Sequence, residues 1–155
     1  MTLTTHSAAE TRALGERLAR QLQPGDVLLL RGRMGAGKSE LTRGIARGLG
    51  VEGHVVSPTF TIMQLYGDGR LPLYHFDWYR LQGAEELYEL SMEEYLLGDG
   101  VAVVEWPEMA EDAVPEKRLE IALELRGEDE RAMTLKEVGG FRALNARALL
   151  QPQEA

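Results

Sequence analysis

Asp26-Val27-Leu28-Leu29-Leu30-Arg31-Gly32-Arg33-Met34-Gly35-Ala36-Gly37-Lys38-Ser39 is the stretch that decides the fold. Asp26 to Leu30 reads as a buried strand. Gly32 to Ser39 fits G-x-x-x-x-G-K-[ST], the phosphate-binding P-loop. Leu41, Ile45 and Leu49 then recur at helical spacing. Glycines let successive backbone N–H groups curl toward one cavity, and the following helix N-terminus adds partial positive charge. In this pattern Lys38 reaches the β- and γ-phosphates and the Ser39 hydroxyl takes a position on Mg²⁺. A glycine-rich turn before an ordinary helix is the competing reading. It leaves the coincidence of strand, glycines, lysine and hydroxyl unexplained. The stretch therefore points to a Mg²⁺-nucleoside triphosphate.

Working outward, Ser7-Ala8-Ala9-Glu10 reads as a capping box opening a helix whose apolar face is Leu14, Leu18 and Leu22, with its end at Gln23-Pro24-Gly25. After the P-loop helix, Val55-Val56 is extended and Ser57-Pro58 breaks it. Phe60 to Tyr66 and Leu73 to Phe76 are strand-like, with a hairpin turn at Gly67-Asp68-Gly69. Ala84 to Leu97 reads as helix, in one or two pieces, with a second capping box at Ser91-Met92-Glu93-Glu94. Val101 to Val104 is a continuous apolar run, the mark of a central parallel strand. Leu119 to Leu125 alternates as a half-buried strand, and Ala132 to Val138 is a candidate partner. Phe141 to Leu150 reads as a last helix. The expected class is α/β: a P-loop NTPase-like three-layer fold, with a mixed parallel and antiparallel sheet flanked by helices. Residues 1–150 are expected to form a single domain, and Gln151 to Ala155 a disordered tail.

Composition narrows the function. The chain has 155 residues, 44% hydrophobic, and a formal net charge of −8. Strong direct nucleic-acid binding by the chain alone is not expected, because such affinity comes mainly from neutralising phosphates. No run approaches the roughly 18 apolar residues of a membrane span, and Glu10 and Glu16 interrupt any signal pattern at the N-terminus. Cysteine is absent, so disulfides, zinc knuckles and thiol nucleophiles are absent too. A reducing cytoplasm is the default location.

A P-loop enzyme needs a further acid for the metal or its water, usually at the end of a neighbouring apolar strand. Glu105, after Val101 to Val104, and Asp77, after Leu73 to Phe76, both qualify. Thr59, in Ser57-Pro58-Thr59-Phe60, fits either a mobile phosphate-sensing loop or a plain Ser-Pro turn entering a strand. His75 and Asp77 share one face of their strand. A lone His on a strand is commonly a satisfied structural group, and no spacing suggests a metal trio with His6 or His54. Trp106 suits core packing, a partner contact or a gate. The acidic run Glu85-Glu86, Glu89, Glu93-Glu94 is most simply a solvated helix face.

Together these pieces resemble the TsaE family, the small ATPase of the bacterial machinery that makes threonylcarbamoyladenosine in tRNA. The matching stretches are Ser7-x-x-Glu10-Thr11, Gly32 to Ser39, Ser57-Pro58-Thr59-Phe60, His75-x-Asp77-x-Tyr79-Arg80 and Glu105-Trp106-Pro107. The resemblance implies ATP hydrolysis with Mg²⁺, inside a complex with TsaD-like and TsaB-like proteins. By position it implies that the loop residues Gly32, Arg33, Met34, Gly35, Ala36, Gly37, Lys38, Ser39 and Glu40 hold the nucleotide. Ser39 and Glu105 would serve Mg²⁺, and Asp77 would organise the attacking water. Thr59 would belong to a switch-like loop, Trp106 would respond to nucleotide or partner, and Thr11 would lie near the adenine. The family's usual Gly-Asp-Leu-Gly-Ala-Gly-Lys-Thr-Thr is altered here at Arg33, Met34, Ser39 and Glu40. Serine for threonine keeps the hydroxyl, whereas Arg33 reverses a charge on the loop's shoulder.

Two other classes fit a P-loop. A small-molecule kinase would need an acceptor pocket and usually an Arg-rich lid, yet Arg43 and Arg47 fall on the P-loop helix itself. A nucleotide-gated binding module would dock without turnover.

Overall fold

The computed structural model describes residues 1–150. The expectation for Gln151 to Ala155 lies outside the described residues. In chain order the elements are β1 (Thr2–Thr5), α1 (Ala8–Ala19), β2 (Val27–Arg31), α2 (Lys38–Gly48), β3 (Met63–Tyr66), β4 (Leu73–Asp77), α3 (Ala84–Glu89), β5 (Val101–Glu105), β6 (Arg118–Leu125), β7 (Arg131–Val138) and α4 (Ala146–Leu150). Short 3₁₀ segments cover Glu93–Tyr95 and Pro107–Ala113.

The strands form one seven-stranded sheet in the order β1-β7-β6-β2-β5-β4-β3. The four central strands β6, β2, β5 and β4 are mutually parallel. Their antiparallel neighbours are β7 beside β6, β1 beside β7, and β3 beside β4. The mixed α/β architecture expected from sequence is thus observed.

Alternation along the strands builds two cores. Leu28 and Leu30 of β2, with Val101 and Val103 of β5, join Leu14, Leu18, Leu41 and Ile45 of α1 and α2 on one face. Val27, Leu29, Ala102 and Val104 point the other way, onto Trp78, Leu81 and Leu87. Buried on both faces, β2 and β5 are nearly continuous aliphatic runs for that reason. Truncating a fully buried member such as Leu28 to alanine costs about 2–5 kcal/mol. The helices α1 and α2 approach closely because Gly44 has no side chain. A Cβ there would collide with the Arg12 carbonyl.

Local signals held where local chemistry decides. Ser7 caps α1 by accepting the Glu10 N–H at 3.0 Å, and the Glu10 carboxylate reaches back to the His6 N–H at 2.6 Å. The helix stops at Ala19, short of the expected end. The Glu85 to Glu94 run is largely solvated, as the simpler reading had it.

Three expectations need correction. Ser91 does not cap a second helix. It sits at φ 54° just past α3, with its N–H on the Tyr88 carbonyl and the Met92 N–H on Leu87, a left-handed helix-ending motif. The strand read over Phe60 to Tyr66 begins only at Met63, because Pro58 to Ile62 curls into a turn with both Thr61 and Ile62 N–H on the Pro58 carbonyl. The last helix covers only Ala146–Leu150, capped by the Asn145 side chain on the Ala148 N–H at 3.2 Å. Phe141 to Asn145 is held out of helix by tertiary bonds. Arg142 grips the Asp26 carboxylate at 2.7 and 2.8 Å, and Gln21 bonds the Asn145 backbone on both sides.

Candidate active site

The parallel strands end together at one edge of the sheet, where open α/β sheets bind their ligands. At the end of β2 the chain turns through Gly32 to Gly37 into α2. Gly37 takes φ 105°, a left-handed conformation that favours glycine, and starts α2 with no side-chain cap. The first intrahelical bond is Leu41 N–H to the Gly37 carbonyl. The N–H groups of Lys38, Ser39 and Glu40 therefore have no partner among the described residues. Oriented donors of this kind at a helix N-terminus suit an anion.

Those donors border a cavity of about 290 Å³. Its walls include Met34, Gly35, Gly37, Lys38, Ser39, Glu40, Ser57, Thr59, Asp77, Glu105, Trp106 and Arg131. The sheet register explains the convergence. Leu73, His75 and Asp77 of β4 share a face with Val101, Val103 and Glu105 of β5, the face that α2 covers. Asp77 and Glu105 are direct partners across the two strands.

Each acid is held differently. Asp77 accepts the Thr59 hydroxyl at 3.0 Å and the Ser57 hydroxyl at 3.5 Å on Oδ2, and the Tyr79 N–H at 2.9 Å on Oδ1. Glu105 meets His75 Nε2 through Oε2 at 2.7 Å. Lys38 is only 5% exposed, and its Nζ lies 3.9 Å from the Trp106 ring centroid. Burial pushes the Lys38 ammonium below the usual lysine range, against the opposing pull of Glu105, Glu108 and Asp77. Trp106 itself adopts φ 58° and leans on Tyr79, ring centroids 5.0 Å apart. Arg31 secures the segment after Trp106 by reaching Glu108 at 3.4 Å and Glu111 at 2.9 Å, while holding Glu120 of β6 at 2.9 Å.

Most of the expected residues converge here, including Lys38, Ser39, Thr59, Asp77, Glu105 and Trp106. Gly32, Arg33 and Ala36 instead line an outer groove against Leu123 to Leu125 of β6, with Met34 shared between groove and cavity. Glu40 borders the cavity, and its carboxylate is taken by Arg12 at 2.6 Å and Arg43 at 2.8 Å. Thr11 lies in a small hollow beside Gly37 and Glu40, its hydroxyl bonded to Thr5 at 2.7 Å. Arg80 stays outside, stacked on Phe60 at 4.2 Å. Sequence reasoning missed Arg131, which opens β7 and borders both the cavity and the Thr11 hollow. No local pattern marks it.

The donor set fits a triphosphate with Mg²⁺. Unpartnered helix N–H groups and a buried ammonium suit phosphate. The Ser39 hydroxyl and the carboxylates of Asp77 and Glu105 are hard oxygen donors, which Mg²⁺ prefers alongside waters and substrate phosphates. Among the described residues no group of three His, Cys, Asp or Glu side chains forms a complete metal cage.

Fold and loop together define a P-loop NTPase-like protein. The family model described as "Threonylcarbamoyl adenosine biosynthesis protein TsaE" matches residues 5–133. The chain belongs to this TsaE family. It is 46% identical over 135 residues to the tRNA threonylcarbamoyladenosine biosynthesis protein TsaE of Bacillus subtilis, covering 87% of this chain and 84% of that protein. The Treponema pallidum protein of the same name is 37% identical, with 87% and 99% covered. The crystal structure of Bacillus subtilis YdiB superposes with a TM-score of 0.78 at 42% identity, covering 90% of this chain and 86% of that one.

Proposed function

We propose that this protein is a Mg²⁺-dependent ATPase that supports threonylcarbamoyl transfer to adenosine in tRNA, acting in the cytoplasm with TsaD-like and TsaB-like proteins. The observation that carries the reading is the convergence of Lys38, the free α2 N–H groups, Asp77 and Glu105 on one cavity. Family membership supplies the pathway. The net charge of −8 argues that any tRNA is met through partners.

The loop N–H groups and Lys38 bind the β- and γ-phosphates of ATP, the ammonium leaving the Trp106 face to do so. Ser39 and Glu105 would hold Mg²⁺, which when bound would supply neutralisation of phosphate charge. Asp77 accepts a hydrogen bond from the attacking water and takes its proton as the oxygen closes on the γ-phosphorus. Thr59, already on Asp77, ties the Ser57 to Phe60 loop to that step. The products are ADP and inorganic phosphate.

Calorimetry of ATP binding tests the reading. Lys38→Ala should weaken ATP by roughly tenfold or more, at least about 1.4 kcal/mol. An unchanged affinity in a folded variant would remove the P-loop from the account.

A further inference from the structure

His75 is a polar residue where an aliphatic one would pack as well. It is 1% exposed, one pleat below Asp77, with Leu73 on its own face and Val103 and Gln64 as register partners. Its Nδ1 is buried and has no partner. Leaving such an atom unsatisfied costs free energy that a leucine would not incur. The ring makes one polar contact, Nε2 to Glu105 Oε2 at 2.7 Å. That contact also settles the tautomer. A proton on Nδ1 would strand a buried donor and set the Nε2 lone pair against a carboxylate oxygen, so the proton belongs on Nε2, which donates.

We infer that His75 is a positioning residue for Glu105. By occupying Oε2, it fixes the rotation of the carboxylate and leaves Oε1 unclaimed by the ring, on a residue that lines the cavity. Asp77 is held separately, by Thr59, Ser57 and the Tyr79 N–H, so the effect of His75 is confined to Glu105. Partners that orient a metal-serving group typically matter by 10–100-fold in metal affinity, an order-of-magnitude guide. The inference rests on the reading that Glu105 serves Mg²⁺.

The test compares ATP affinity in excess EDTA and across a Mg²⁺ titration, with melting temperature recorded for each variant. His75→Leu should fold with equal or higher stability, and its affinity in EDTA should stay within about twofold of wild type. The Mg²⁺ concentration that half-restores tight ATP binding should rise about tenfold or more. His75→Gln, which restores an N–H donor, should recover much of that loss. If His75→Leu does not fold, His75→Asn, too short to reach Oε2, replaces it with the same expectations. A folded variant with an unchanged Mg²⁺ requirement overturns the inference. So does an equal loss in EDTA and in Mg²⁺. Glu105→Ala separates the two levels. If it leaves Mg²⁺ dependence intact, the reading of Glu105 itself fails. If it abolishes that dependence while His75→Leu does not alter it, only the role of His75 fails.

Discussion

Asp77 and Glu105 stand directly opposite each other at the ends of two adjacent parallel strands, yet they share no hydrogen-bond partner. Asp77 is tied upward, to the Ser57–Thr59 loop. Glu105 is tied downward, to His75. Two carboxylates in one cavity with separate supports are suited to separate tasks.

Their separation is measurable. Glu105→Ala should reduce Mg²⁺-dependent ATP affinity. Asp77→Asn should leave affinity nearly intact and lower turnover by roughly 10²-fold, the loss expected for a general base. Calorimetry and phosphate release on both variants check this. The reverse pattern would exchange the two assignments.

Trp106 should report nucleotide. Its ring carries the Lys38 ammonium in the free protein, a contact worth about 0.5–2 kcal/mol that phosphate would displace. ATP should therefore change intrinsic tryptophan emission, and Trp106→Phe should abolish the change. The other tryptophan, Trp78, is fully buried on the opposite face of the sheet and serves as a constant background. A response that persists in Trp106→Phe would place the signal elsewhere.

Arg131 should contribute to affinity more than to chemistry. Two backbone carbonyls, of Glu128 and Glu130, anchor one of its nitrogens at the cavity wall. A charge-assisted hydrogen bond to nucleotide is worth about 1.5 kcal/mol or more. Arg131→Ala should raise the ATP Kd by about tenfold while changing saturated turnover little. An unchanged Kd would leave Arg131 as wall only.

What the sequence discloses follows from how far each feature reaches. The P-loop was legible because strand, loop and helix are contiguous, and the central strands because burial on both faces forces apolar runs. The strand β1 was not. Thr2 to Thr5 is a short polar stretch that becomes a strand only by pairing with Arg131 to Thr134. The helix over-read from Phe141 was countermanded by the bond between Arg142 and Asp26, 116 positions apart. In the site, Lys38 could be named from the loop motif, and Asp77 and Glu105 from strand ends. The spacing of Thr59 fits a plain turn as well as a switch loop, and only the fold brings its hydroxyl onto Asp77. The His75–Glu105 contact depends on register between β4 and β5, and Arg131 on β7 closing beside the loop. Neither leaves a local trace.

On the proposed reading this cavity hydrolyses ATP and partners set its rate. Arg131 at the cavity wall is anchored on the Glu128 and Glu130 carbonyls, and a further cation supplied by a partner can accelerate P-loop enzymes by about 10³–10⁵. Coupling between nucleotide and partner binding must be reciprocal. The direct measurement is steady-state phosphate release from Mg²⁺-ATP by this protein alone, with its cognate TsaD-like and TsaB-like partners, and with those partners plus Lys38→Ala. Release should be slow for the protein alone, clearly faster with partners, and slow again in Lys38→Ala. A rate that partners leave unchanged, or one that survives Lys38→Ala, would contradict the proposed reading.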